Sequence, residues 1–137
     1  MHVNNVIRIK AALPDNLESR SNDFFLYWME FLRPCHNISG KEMELAAAFL
    51  RGRYVLSLST ADAKVVDTAL MSTKMRNRIM ESCGMKRGNF LVLMGKLKKK
   101  GFFVDGVINP RFIPRLSGTG SFRILLDFEF TEKDSGA

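Results

Sequence analysis

Lys86, Arg87 and Asn89 stand at the head of one apolar-periodic segment, Lys98, Lys99 and Lys100 at its end, and Arg111 just past the turn that follows. Ammonium and guanidinium groups at the start of a helix, beside its free amides, suit phosphate oxygens, as do basic residues on a flanking turn. They suit an acidic protein surface equally, and the ordinary alternative is a solvated face. The charge is concentrated there: eleven of the 21 basic and two of the 14 acidic residues lie between Lys74 and Arg115, which gives that stretch +9 and the remainder −2. No reactive set accompanies it. The chain has no glycine-rich phosphate loop, no nucleophile elbow and no closely spaced histidine and carboxylates, so an enzyme with catalytic residues or a cofactor is not expected. His36 beside Cys35 lacks further ligands at usable spacing, and Cys35 and Cys83 form no CxxC pair, so no metal is expected and both thiols are read as reduced and buried.

Apolar residues form the second candidate. With Phe90, Met94 and Leu97 inward on a 3.6-residue period, Leu93 shares the core edge, whereas Leu91 and Val92 point outward. Outward apolar side chains read little on a base edge beyond thymine methyls and suit a protein partner, unless another helix packs over them. The run Phe24 to Leu32 is apolar nearly all round; its Phe24 and Trp28 are either core or the anchors of a protein interface. The same run is too short to span a bilayer and contains Glu30, and the opening Met-His-Val-Asn-Asn is no signal peptide, so a cytosolic protein without membrane or small-molecule partners is expected.

The elements that must position these residues follow from local signals. At 137 residues with eleven Phe, one domain with a real core is expected over 1–137. Val3 to Lys10 reads as a strand, its Ile7 and Ile9 alternating with Arg8 and Lys10. Ser21 or Asn22 caps a helix running to Arg33, where Pro34 ends it. Ser39-Gly40-Lys41-Glu42 reads as a capping box with Ile38 and Met43 at the staple positions, opening a helix with Met43, Ala46, Ala47 and Leu50 on one stripe down to Gly52. Thr60 with Asp62 starts a short helix through Leu70. Ser72 caps another that Gly84 closes, with Met75, Ile79 and Met80 inward and Arg76 and Arg78 outward. Asp105-Gly106 between Phe102-Phe103-Val104 and Val107-Ile108-Asn109 predicts a tight hairpin. Gly118-Thr119-Gly120 reads as a connector, 121–130 as a strand of alternating apolar residues whose acids face Arg8 and Lys10 if the terminal strands pair, and Thr131 to Ala137 as a polar tail.

On Gly84, Met85, Phe90, Met94, Leu97, Gly101 and the Asp105-Gly106 hairpin, residues 39–113 resemble the winged helix-turn-helix superfamily. Phe31-Leu32-Arg33-Pro34, the capping box, Met94-Gly95-Lys96-Leu97 and Ile108-Asn109-Pro110-Arg111-Phe112-Ile113-Pro114 resemble small conserved proteins of crAss-like phages that infect gut Bacteroidetes. These resemblances imply an α+β fold: a winged helix-turn-helix core, an extra N-terminal aromatic helix within 3–33, and a small antiparallel sheet from the terminal strands. They also imply a phage protein, in the virion or the host cytoplasm. The apolar outward face then favours a non-enzymatic virion structural or adaptor subunit, bound to itself or to other virion proteins through Leu91, Val92, Phe24 and Trp28 and touching packaged DNA through its basic flank. The alternative is a transcriptional or replication regulator binding double-stranded DNA through Lys86, Arg87, Asn89, Lys98, Lys99, Lys100 and Arg111.

Overall fold

A computed structural model describes residues 6–19, 21–116 and 120–132. Five helices carry the chain in the order α1 (Phe24–Phe31), α2 (Gly40–Ser57), α3 (Ala63–Leu70), α4 (Thr73–Ser82) and α5 (Arg87–Lys99), followed by a two-stranded antiparallel sheet of β1 (Phe103–Val104) and β2 (Val107–Ile108). The fold class is α+β.

Helix α2 is the axis of the molecule. From Leu45 to Gly52 every residue is buried, because α1, α3, α4 and α5 all pack against it, whereas the sequence pattern assigns it a single inward stripe and gives the all-round burial to the aromatic helix. Ala46, Ala47 and Ala48 let the surrounding helices approach closely. At Gly52 an added Cβ would lie 3.2 Å from Leu70 Cδ1 and 3.4 Å from Leu17 Cδ1, so this glycine is set by packing rather than by backbone geometry. The helix begins at Gly40, but without a capping box. Gly40 has a left-handed φ of +57°, Ser39 makes no side-chain cap, and the Glu42 carboxylate pairs with Lys100 Nζ. Ile38 and Met43, the staple positions, are both buried.

Helix α1 starts one residue later than its expected caps and stops before Arg33. Asn22 takes a left-handed φ of +52°, and Asp23 caps the helix, its Oδ1 accepting from the Phe25 amide at 3.0 Å. Pro34 lies inside a single 3₁₀ turn, Arg33–Cys35, rather than marking the helix end. The other local signals hold: Asp62 caps α3 through the Lys64 and Val65 amides, and Ser72 caps α4 through Met75. Gly84 (φ +64°) and Gly101 (φ +85°) close α4 and α5, with the Met85 and Phe102 amides donating back to the Met80 and Leu97 carbonyls. Asp105 and Gly106 both have positive φ, as the two-residue hairpin requires.

The terminal strands do not form. Among the described residues, neither 6–10 nor 121–130 is a strand, and the β-pairing is confined to β1–β2 and one parallel bridge, Ala12 with Asp23. Alternation specifies which face a strand would bury; it does not supply the neighbour. Residues 3–5 of the expected first strand, Gly118 and Thr119 of the connector, and 133–137 of the tail lie outside the described residues. No helix among the described residues is long and apolar enough to cross a membrane.

Candidate nucleic-acid interface

Helix α5 is positioned from its inner face. Phe90, Leu93 and Leu97 are buried against α2, Met94 is half-buried, and the Phe90 ring stacks on Phe49 with centroids 6.5 Å apart. Phe49 in turn meets Phe103 edge-on at 5.1 Å, so one aromatic cluster fixes both α5 and the hairpin. With that face fixed, the opposite face is presented to solvent. Leu91 and Val92 are 52% and 55% exposed, Leu91 at the rim of a small pocket against α4.

The basic candidates divide into two groups. Lys86, Arg87, Lys98 and Lys99 are exposed, as is Lys96, and among the described residues none has a carboxylate within ion-pairing distance; Asn89 is exposed beside them. Lys100 and Arg111 are held by the fold. The Lys100 side chain is only 28% exposed and is paired with Glu42. Arg111 lies over the Phe112 ring at 5.4 Å and reaches the Cys35 carbonyl at 3.4 Å. Glu42 and the Cys35 carbonyl come from distant elements that adjacency in sequence does not reveal.

The start of α5 has a second feature. Its N-cap, Lys86, offers no acceptor for the first-turn amides. In the small pocket beside it, lined by Thr73, Arg76, Asn77, Met80, Arg87, Phe90 and Leu91, the Arg76 Nε is buried without a hydrogen-bond partner among the described residues. Arg76 is therefore half-buried between α4 and α5 rather than fully outward.

Gly88 and Gly95 also lie on the outer face of α5, one heptad apart, and a Cβ at either position would meet nothing within 4 Å. The fold itself does not require glycine there. Gly95→Ala is expected to raise the unfolding free energy by about 0.5–1 kcal/mol, as in other exposed helix interiors; urea denaturation reads it. An unchanged or lowered midpoint would mean that Gly95 serves the fold after all.

The expected protein interface is reduced by the same geometry. Phe24 and Trp28 are half-buried under Phe122, whose ring meets theirs edge-on at 5.3 and 5.6 Å, and Trp28 Nε1 donates to the Phe112 carbonyl at 2.7 Å. They hold the C-terminal segment on α1 and are not free anchors. His36 is likewise structural: Nδ1 accepts from the Ile38 amide at 3.0 Å, which leaves the Nε2 hydrogen to the Met29 carbonyl at 2.9 Å. Cys35 is exposed rather than buried, because the 3₁₀ turn carries it past the core; Cys83 is half-buried, and both are free thiols. The described residues hold no cluster of three or more metal-ligating side chains.

What the sequence did not reveal is the buried pair Asp23–Arg51. Arg51 Nη1 lies 2.7 Å from Asp23 Oδ2, the side chains are almost wholly buried, and Arg51 Nε donates to the Leu17 carbonyl at 2.9 Å. No protein-family model, curated protein or solved structure matches the chain.

Proposed function

We propose that the chain is a non-enzymatic double-stranded-DNA-binding protein of the winged helix-turn-helix kind, a regulator of transcription or replication. In this reading α4 and α5 form the helix-turn-helix, α5 enters the major groove, and the β1–β2 hairpin is the wing. The observation that carries it is the set of exposed basic residues without carboxylate partners at both ends of α5, Lys86 and Arg87 at one and Lys98 and Lys99 at the other, on a helix whose inner face is locked by the core. Such residues bind backbone phosphates, while the uncapped first turn and the orphan Arg76 Nε add donors on the same side. Gly88 and Gly95 permit close approach of a groove wall, and Leu91 and Val92 suit thymine methyls.

The test is fluorescence anisotropy of a labelled duplex over a series of salt concentrations. Four or five phosphate contacts give a log–log slope of about −4, each contact contributing about −0.9. A flat salt dependence, or no binding at low salt, would sink the reading. Gly95→Ala then reports on the groove-facing side: affinity falls while stability rises if that face meets the duplex closely.

A second reading, a virion structural or adaptor subunit, is favoured by Leu91 and Val92, two large apolar side chains exposed side by side. It loses Phe24 and Trp28 as anchors, since Phe122 covers them. Abundant copies in purified particles, with no duplex binding at low salt, would establish it in place of the first.

A further inference from the structure

Both terminal segments alternate apolar and polar residues, and among the described residues neither 6–10 nor 122–130 has a strand partner. They depart from neighbouring points. Ala12 is bridged to Asp23, with its amide on the Asn22 carbonyl at 2.7 Å and its carbonyl accepting from Phe24 at 3.1 Å, while Phe122 rests on Phe24 and Trp28. Both arms therefore start beside the first turns of α1. Beyond those anchors the apolar side chains meet water: Ile7 is 90% exposed, Leu125 93% and Phe130 91%, with Ile9, Leu126 and Phe128 also exposed. A run of apolar surface this long is rare on an isolated chain, and an extended arm of alternating residues is a template for strand addition.

We propose that the arms pair between two copies of this chain, residues 6–11 of each lying against 126–131 of the other, to give a two-fold symmetric dimer. Charge selects this pairing. On the polar face the N-terminal arm carries Arg8 and Lys10, and the C-terminal arm Asp127 and Glu129. An antiparallel register that sets Arg8 opposite Glu129 and Lys10 opposite Asp127 also sets Ile7 opposite Phe130 and Ile9 opposite Phe128 on the apolar face. Pairing two N-terminal arms brings cations together, and like charges directly opposite are destabilising; pairing two C-terminal arms matches Arg123 with only one of the two carboxylates, whereas the N-to-C register matches both.

The apolar face argues for two copies rather than one. None of Ile7, Ile9, Ile124, Leu126, Phe128 or Phe130 belongs to the core, which is closed without them. A ribbon formed within a single chain would have no layer beneath its apolar face, and an isolated two-stranded ribbon is marginal in water. The symmetry-related ribbon of a dimer supplies that layer.

Sedimentation equilibrium over a wide concentration range tests the proposal. The wild-type chain is expected to dimerise, with a melting midpoint that rises with its concentration, and Leu126→Asp with Phe128→Asp to give a monomer with unchanged helical circular dichroism and a concentration-independent midpoint, since neither residue is in the core. Charge exchange separates the topologies: Arg8→Glu with Lys10→Glu in one chain, and Asp127→Lys with Glu129→Lys in another, each give monomers alone and a heterodimer when mixed. A monomeric wild type, an aspartate variant that stays dimeric, or a charge pair that does not recover on mixing would overturn it. The duplex-binding reading fails or survives separately, because none of these residues lies on α5.

Discussion

Asp23→Ala is expected to destabilise the protein by about 4–6 kcal/mol, much of the stability a domain of this size holds. Two separable losses add. The Asp23 Oδ1 cap on the Phe25 amide contributes about 1 kcal/mol. The larger loss comes from Arg51, whose guanidinium stays among α1, α2 and the Leu17 segment with its counter-charge removed; stranding one partner of a buried pair costs roughly 3–5 kcal/mol. Asp23→Asn keeps an oxygen for the cap and loses the charge, so it isolates the second loss. Asp23→Ala with Arg51→Met removes both charges and is expected to recover most of the stability, since a well-packed apolar pair of similar volume often does as well as a buried ion pair. Urea denaturation of the wild type, Asp23→Ala, Arg51→Met alone and the combination closes a double-mutant cycle. A coupling energy near zero would mean that water reaches the pair and that Arg51 does not depend on Asp23.

The same pair shows why much of this fold could be read from local signals and part of it could not. Caps and turns are decided by neighbours in sequence: Asp62 and Ser72 sit within three residues of the amides they accept from, and Asp105-Gly106 owes its conformation to its own two φ angles. The inward stripe of α5, expected as Phe90, Met94 and Leu97 with Leu93 at its edge, was legible for the same reason, except that Leu93 is the buried residue and Met94 the half-buried one. Arg51, by contrast, interrupts an apolar stretch and so reads as a solvated charge; only a partner 28 positions away makes it a core residue. The helix it belongs to was underestimated on the same account, because a pattern of Ala and Leu with a central Arg does not announce burial on every side. The terminal arms err in the opposite direction: their alternation is genuine, but a strand needs a neighbour, and the described residues of one chain supply none.

For the candidate interface the distinction falls within a single run of lysines. Lys98, Lys99 and Lys100 are equivalent as sequence, yet only the third is held by Glu42. This separates them in function. Arg87→Ala with Lys98→Ala and Lys99→Ala is expected to lower duplex affinity by two to three orders of magnitude at about 0.1 M salt and to make the log–log salt slope shallower by about 2.7, because three phosphate contacts are lost at about 0.9 each. Stability should hardly change, since these side chains are exposed and have no ion-pair partner among the described residues. Lys100→Ala should do the reverse. It leaves the half-buried Glu42 carboxylate without its cation, at a cost on the order of 1 kcal/mol in unfolding, and leaves the salt slope where it was. Anisotropy titrations and urea denaturation on the same preparations give both coordinates for each variant. If Lys100→Ala lowers the slope as much as Lys99→Ala does, the Glu42 pair opens when the duplex arrives, and the basic surface extends onto the turn leading into β1. If the triple variant keeps the full slope, the phosphates are met elsewhere and α5 faces a protein.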